Sequence, residues 1–280
     1  MEKFCILTDS SCDIDDQTAL ELGLYVMRMP IVVNGREYLD AKDISNEEVK
    51  DFLKSGTPVK TSQTTLGVLI ESYEYLLKSY EYVIHIPLSS GLSGMYQTAL
   101  AQAKNYDGRV VVIDAKCACY PVTRLCLDIK ELMLEGHDPI EIKEAIEKET
   151  SMMEAIIIPA DIKYLKMGGR ITPAAAALAN LLRITPVLYL KEGKIDVYDK
   201  VHTIKKAITK GMEPILAVEN VEDYYWMVIS DECDELAEEV KNKLAQATGQ
   251  EVELHDFGPV ILSHTGPGTL AFGRIKKLKI

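Results

Sequence analysis

Bulky aromatic residues are scarce in this chain of 280 residues, which has one Trp and four Phe, and Cys occurs only six times. Six cysteines in so long a chain do not make a disulfide framework. Cys117 and Cys119 stand one residue apart, yet no second Cys or His pair has zinc-ligand spacing, which argues against a metal centre. They read as ordinary thiols of a reducing cytoplasm. Positive charge is also in short supply: 31 Lys and Arg against 43 Asp and Glu leave a net −12. A nucleic-acid binder needs a basic face to displace phosphate counterions, and docking on anionic membranes needs the same. The basic end, Arg274-Ile275-Lys276-Lys277-Leu278-Lys279, reads as an amphipathic terminal strand with solvated lysines. No apolar run has membrane length, because the longest, residues 173–190, is broken by Arg183 and Pro186, so stable membrane insertion is not expected. The apolar stretch at the start is too short for a signal peptide. Neither a P-loop nor a paired-glycine nucleotide fingerprint occurs, so no cofactor is expected.

What is present is a packed α/β pattern, with 47% hydrophobic and 26% charged residues. Short apolar runs alternate with helix-like segments, as in a parallel sheet flanked by helices. Residues 4–7 predict a strand and 15–22 a helix ended by Gly23. Residues 24–33 read as one strand turned by Asn34-Gly35, a hairpin signal. Ser45 with Glu48 forms a capping box for a helix to about Leu53. A polar, helix-poor stretch over 57–65 follows, then a helix to about Tyr80, a strand over 82–88 and a helix over 95–105. Residues 110–113 predict a buried strand, and 121–134 and 139–148 two helices. After about residue 150 the pattern changes to a smaller mixed sheet with antiparallel pairs. Strands are expected at 155–159, 184–190, 195–198, 226–229, 252–254 and 260–262. Helices are expected from Pro173, at 203–210 and at 234–247. The division proposed is 1–150 and 151–280.

Three hydroxyl-rich loops follow strands in the first half, where open α/β sheets place ligands. They are Asp9-Ser10-Ser11, Thr61-Ser62-Gln63 and Ser89-Ser90-Gly91-Leu92-Ser93. One such loop is an ordinary helix cap. Three with adjacent glycines suggest an anion pocket of hydroxyls and free helix-start amides, and Gly94 after Ser93 leaves room for a ligand at the backbone. Arg170, after Gly168-Gly169, offers a guanidinium suited to carboxylate or phosphate, or to the carbonyls at a helix end. His264 lies in Ser263-His264-Thr265-Gly266-Pro267-Gly268, read as the close of a strand on a rigid loop; His85, His137, His202 and His255 read as structural. A serine hydrolase needs glycine two places on either side of its nucleophile. Around Ser93 the first glycine, Gly91, is in place and the second is not.

Taken together, Thr8-Asp9-Ser10-Ser11, Lys60-Thr61-Ser62-Gln63, Ile86-Pro87-Leu88-Ser89-Ser90-Gly91-Leu92-Ser93-Gly94, Leu165-Lys166-Met167-Gly168-Gly169-Arg170-Ile171 and His264-Thr265-Gly266-Pro267-Gly268 resemble the DegV family in the same order along nearly the whole chain. These are bacterial fatty-acid-binding proteins that include the lipid-carrier subunits of fatty acid kinase. The resemblance implies a three-layer α/β/α domain with a parallel sheet, then a two-layer α/β domain with a mixed sheet. It implies a cytoplasmic, non-enzymatic protein that holds one long-chain fatty acid such as palmitate or stearate. The carboxylate would sit at the domain interface and the tail inside the second domain. By motif match Ser62, with Thr61, and Ser93 bind the carboxylate, and Gly94 adds a backbone contact. Arg170 and His264 stand close by, able to support phosphoryl transfer by a separate kinase catalytic subunit that makes an acyl phosphate. The chain departs from the family pattern at Asp114-Ala115, where serine is usual after the aspartate, and at Gln63-Thr64, where proline is frequent. The alanine-rich stretch 174–182 is a candidate wall for the tail. A free-standing hydrolase or acyltransferase using Ser93, and a lipid-responsive regulator without a kinase, are the alternatives.

Overall fold

The structure is a computed structural model, and it describes residues 2–149 and 151–280. In the first half the chain runs through β1 (Glu2–Asp9), α1 (Asp16–Leu22), β2 (Tyr25–Met27), β3 (Pro30–Val33), β4 (Arg36–Leu39), α2 (Asn46–Lys54) and β5 (Val59–Thr61). It continues through α3 (Leu66–Leu76), β6 (Tyr80–Ile86), α4 (Met95–Ala103), β7 (Val110–Val112), α5 (Tyr120–Glu135) and α6 (Pro139–Lys148). Four of these strands form an all-parallel sheet in the order β2-β1-β6-β7. Its strands are apolar on both faces, as a sheet covered twice must be. Cys5, Leu7 and Val83 pack with Leu69 and Tyr73 of α3 and Ala99 of α4. Ile6, Ile84 and Ile86 pack on the other side with Leu125 of α5 and Ile142 of α6. The result is three layers.

The segment read as one strand over 24–33 is two. β2 belongs to the parallel sheet, while β3 turns away at Arg28-Met29 and joins a small antiparallel sheet, β4-β3-β5. Pro30 has no N–H to give a ladder, so a strand cannot run through it unbroken. The polar, helix-poor stretch over 57–65 supplies β5, which pairs with β3 and carries Thr61. The capping box is as expected: Ser45 Oγ accepts the Glu48 N–H and the Glu48 carboxylate accepts the Ser45 N–H.

The second half comprises β8 (Met153–Ile158), α7 (Lys163–Gly168), α8 (Pro173–Ala177), β9 (Thr185–Lys191), β10 (Lys194–Val201), α9 (Ile204–Leu216), β11 (Tyr224–Ser230), α10 (Asp234–Thr248), β12 (Val252–Asp256), α11 (Pro259–Thr265) and β13 (Leu270–Lys276). Six strands form a mixed sheet, β10-β9-β8-β13-β11-β12, parallel only between β11 and β12. One face carries Ile156, Trp226, Val228 and Phe272 and is covered by α9 and α10. Gly211 lets α9 lie flat on it, since a Cβ there would stand 2.7 Å from Ile156 and 2.8 Å from Phe272. The opposite face, with Ala155, Ile157, Met227, Ile229 and Ala271, joins the core that reaches the parallel sheet.

Residues 260–262, read as a strand, are the middle of α11. The Val-Ile-Leu run suggested β structure, but Pro259 at the first helical position and Gly266 just past the end mark a helix. His264 therefore stands on a helix, not on a loop closing a strand. The chain's last strand begins four residues before the basic segment that was read as terminal, and β13 lies in the middle of the sheet.

Candidate functional site

The parallel sheet changes direction of growth between β1 and β6, so the loops at their carboxyl ends border the crevice where such sheets bind ligands. The loop after β1 is tied to the loop after β6. The Asp9 carboxylate accepts the Leu88 N–H at 2.9 Å, the Ser11 N–H at 3.0 Å and the Ser11 hydroxyl at 2.5 Å. Burial pushes this carboxyl above its ordinary range, with those hydrogen bonds opposing the shift. Ser10 Oγ accepts the Met29 N–H at 2.8 Å. Both serines are buried and bound internally, so Asp9-Ser10-Ser11 ties two strand ends together and does not converge with the other hydroxyl loops.

The other two loops do converge. Ser62 N–H donates to Pro30 O at 3.0 Å, prolonging the β5 pairing, and its hydroxyl has no partner among the described residues. Thr61 Oγ1 is 2.7 Å from His264 Nε2. In the loop after β6, Ser90 donates to Asp114 at 2.5 Å and Ser89 to Gly193 O at 3.2 Å, which fixes the loop on both sides. Ser93 is left at the start of α4, where its Oγ accepts the Met95 N–H at 3.2 Å. Gly91 and Gly193 allow the loop to meet the β9–β10 turn, since a Cβ on Gly91 would stand 2.2 Å from Gly193 O.

Arg170 follows Gly169, whose φ of +67° ends α7 in the left-handed conformation that glycine adopts without strain. Its guanidinium donates to Leu92 O at 3.3 Å and Gly168 O at 2.5 Å and pairs with no carboxylate among the described residues. His264 lies against Gly168 so closely that a Cβ there would be 2.2 Å from Nδ1. That nitrogen is buried without a partner. Burial, and secondarily the Arg170 charge, hold the His264 ring down to about 4, so it is neutral at pH 7. The contacts Thr61–His264–Gly168–Arg170–Leu92 thus form one continuous ring of groups leading to Ser93.

This ring opens on a cavity whose outline, open mouth included, encloses about 940 Å³. Thr61, Ser62, Ser93, Arg170 and His264 all line it, with Gln63 beside them. Gly94 is exposed at the start of α4 and is not part of the wall; a Cβ there would stand 3.2 Å from Gln63 Oε1. Among the described residues no aspartate or glutamate lines the cavity, and beyond the polar ring the wall is mostly apolar. Arg274 also borders it, but its guanidinium is bound on the far face of the sheet to Glu154 and to the carbonyls of Pro214 and Ile215. The stretch 174–182 is not the wall. α8 covers five residues, none of 174–182 reaches the cavity, and Leu182 is 89% exposed. The wall is the inner face of the mixed sheet, Met153, Ala155 and Ile157 of β8 with Met227, Ile229 and Ala271 alongside. Sequence reasoning missed these residues, although their alternation with Glu154, Ile156 and Ile158 carries the period of two that marks a strand face.

The chemistry open to this arrangement is narrow. Ser93 and His264 share the cavity without a hydrogen bond, because the ring's Nε2 is committed to Thr61 and its Nδ1 faces Gly168. Among the described residues no base is hydrogen-bonded to Ser93 Oγ. Hydroxyls, a neutral imidazole and an unpaired guanidinium at the mouth of an apolar chamber suit an amphipathic anion. No helix among the described residues is long and apolar enough to cross a membrane.

Residues 3–277 match the family model described as "Uncharacterised protein, DegV family". A DegV domain-containing protein of Streptococcus pneumoniae is 32% identical over 278 residues, 98% of this chain and 99% of that one. Among solved structures, a fatty-acid-binding DegV family protein of Streptococcus agalactiae matches with a TM-score of 0.87 at 29% identity, covering 99% of this chain and 100% of that one. The structure described as fatty acid binding of a DegV family protein from Thermus thermophilus matches with a TM-score of 0.86 at 27% identity, covering 98% and 99%.

Proposed function

Because the chain belongs to the DegV family, we propose that it is a carrier of one long-chain fatty acid, held without a covalent bond. The relatives at 27% and 29% identity are described as fatty-acid-binding proteins. The observation that carries the reading here is the division of a single cavity into a polar ring at its mouth and an apolar sheet face behind it. The fatty acid's carboxylate is assigned to Ser62 and Ser93, with Thr61 beside them and Gly94 at the adjacent backbone. The tail is assigned to the space over Ala155 and Ile157. The units proposed, 1–150 and 151–280, then contribute the anchors and the tunnel respectively.

The energetics agree with this allocation. An unpaired buried carboxylate costs several kcal/mol, so its oxygens need donors. Burying about sixteen chain carbons at ~0.8 kcal/mol each outweighs most estimates of the cost of immobilising one lipid. Hydroxyl donors hold the carboxylate without neutralising it, and one oxygen stays nucleophilic. Our reading extends this to a partner kinase that brings a nucleoside triphosphate. The carboxylate oxygen forms a bond to the terminal phosphorus, the bond to the bridging oxygen breaks, and nucleoside diphosphate leaves with that electron pair. Arg170, and His264 as a neutral group, would steady the phosphoryl charge. Palmitate and stearate are the proposed ligands and the cytoplasm the proposed location.

Titrating delipidated protein with palmitate tests the binding claim: saturable one-to-one binding supports it, and its absence overturns it. With a partner kinase, Arg170→Ala is expected to keep palmitate binding and slow acyl phosphate formation. A normal rate would refute the role given to Arg170.

A further inference from the structure

A second hollow of about 1000 Å³, open side included, lies against the first. The two share three residues, Thr61, Arg170 and His264, which form a partition between them. The second hollow differs sharply in charge. Lys54, Lys60, Lys163 and Arg170 line it, and among the described residues no aspartate or glutamate does. In a chain of net charge −12 this is not the average surface. The cleft between the loops around Asp13, Asp40 and Asp256 shows the opposite: it also holds Asp15, Asp43, Glu47 and Glu48, with Lys42 as its one lysine.

The four cations are not equally engaged. Lys54 pairs with Glu232 at 2.6 Å and Lys163 with Asp161 at 2.7 Å, both acids standing outside the groove's lining. Lys60 and Arg170 pair with no carboxylate among the described residues. On the shared partition, His264 Nδ1 is buried without a partner. One carboxylate carries a single charge, already provided for by the hydroxyl donors. Lys60 is then left without a counter-charge, and none of the three lysines lines the apolar tunnel.

We propose that this groove seats a phosphate group while a fatty acid occupies the tunnel. The proposal rests on the fatty-acid reading given above. A phosphoryl group that joins a carboxylate lies on the side away from the acyl chain, and the groove begins where the tunnel's polar ring ends. A guanidinium grips phosphate oxygens in pairs and lysines add point charges around it. Three sources share this chemistry: free phosphate, the terminal phosphate of a nucleotide donor, and the phosphate of an acyl phosphate product.

The test uses the full chain loaded with palmitate, titrated with inorganic phosphate and with ATP. The delipidated chain is titrated with a non-hydrolysable palmitoyl phosphonate. Lys60→Ala/Lys163→Ala is compared with Lys241→Ala on α10, outside the groove. At least one probe is expected to bind, with affinity falling about two- to fivefold for each groove lysine removed and with added salt. Palmitate affinity and the Lys241→Ala variant are expected to stay within about twofold of wild type. Preference for the phosphonate identifies the product, and preference for ATP the donor. Binding of phosphate alone identifies a free-anion site. No binding of any probe, or equal loss in the groove and control variants, overturns the proposal while leaving palmitate binding intact. Failure of palmitate to bind the wild-type chain would instead sink the carrier reading.

Discussion

Replacing Gly168 with alanine probes the polar ring through one atom. The new Cβ would stand 2.2 Å from His264 Nδ1 and 3.2 and 3.3 Å from Cε1 and Cγ. Gly168 is the last residue of α7 with no left-handed φ, so the backbone accepts alanine and gains up to ~1 kcal/mol of helix propensity. The ring must withdraw by roughly 1 Å to regain van der Waals distance. Nε2, on the other side of the ring, is already 2.7 Å from Thr61 Oγ1 and leaves no room in that direction. The imidazole therefore has to swing out and lose that bond. Overpacking costs about 1–3 kcal/mol and the neutral hydrogen bond about 0.5–1.5 kcal/mol, so a net loss of about 2 kcal/mol is expected. Thermal unfolding reads this as a fall of several degrees, at roughly 2–4 °C per kcal/mol. The sharper readout is the imidazole titration by NMR. Burial and Arg170 hold His264 down to about 4, and a ring moved outward titrates closer to the ordinary 6.5. Gly169→Ala is the control: its φ of +67° makes alanine strained, but no atom lies within 4 Å of the new Cβ. It is expected to cost ~1 kcal/mol and leave His264 unchanged. A Gly168→Ala ring that still titrates near 4 in a protein of wild-type stability would refute the packing argued here.

Other consequences are equally open to measurement. Ser62→Ala and Ser93→Ala each remove a donor to a charged oxygen, about 1.5–3 kcal/mol, so palmitate should bind roughly 10- to 150-fold more weakly by calorimetry; unchanged affinity would remove that serine from the anchor. Arg274→Ala leaves Glu154 buried without its arginine and with the half-exposed Lys191 at 3.1 Å, and denaturant unfolding should show a loss of about 3–5 kcal/mol. A loss under 1 kcal/mol would mean the pair is dispensable. His264 is neutral in the fold, so its stabilising share is complete above pH 6.5 and is lost as pH falls toward about 4. Asp13 works in the opposite direction. Burial raises its carboxyl well above the usual 3.8, and stability is lost as pH rises from there through the raised value. Asp13→Asn should therefore stabilise the fold more at pH 7 than at pH 4, and an equal effect at both would contradict the shift.

Local chemistry was legible in the sequence where the cause lies within a few residues. The Ser45–Glu48 box, the Asn34-Gly35 hairpin and the Pro139 helix start depend on neighbours a few places away. The break at Pro30 was also local, yet the apolar run over it concealed a change of sheet that only β5, some thirty residues later, makes necessary. In α11, Val260-Ile261-Leu262 reads as a strand by propensity, and packing on α2 and α7 decides for the helix. β13 holds Gly273 and a buried Arg274. The glycine is needed because a Cβ would stand 2.2 Å from Glu154 O, and the arginine is tolerated because Glu154 pairs with it from 120 residues away. Neither reason is visible locally. The site shows the same division. Motifs marked Thr61, Ser62, Ser93, Arg170 and His264, whose common cavity the fold then supplies. The apolar wall escaped because alanines in a run suggested room, while the room is made by one face of a sheet whose strands are far apart in the chain. The loop at Asp9 looked like a third anchor because hydroxyls bound to a ligand and hydroxyls bound to the backbone have the same sequence.

The central claim is one non-covalent fatty acid per chain, and the mass of the freshly purified protein tests it most directly. Under native conditions the mass is expected to exceed that of the chain by one long-chain fatty acid, lost completely on denaturation. A bare chain from lipid-replete cells under native conditions, or an acyl group that survives denaturation on Ser93, would contradict it.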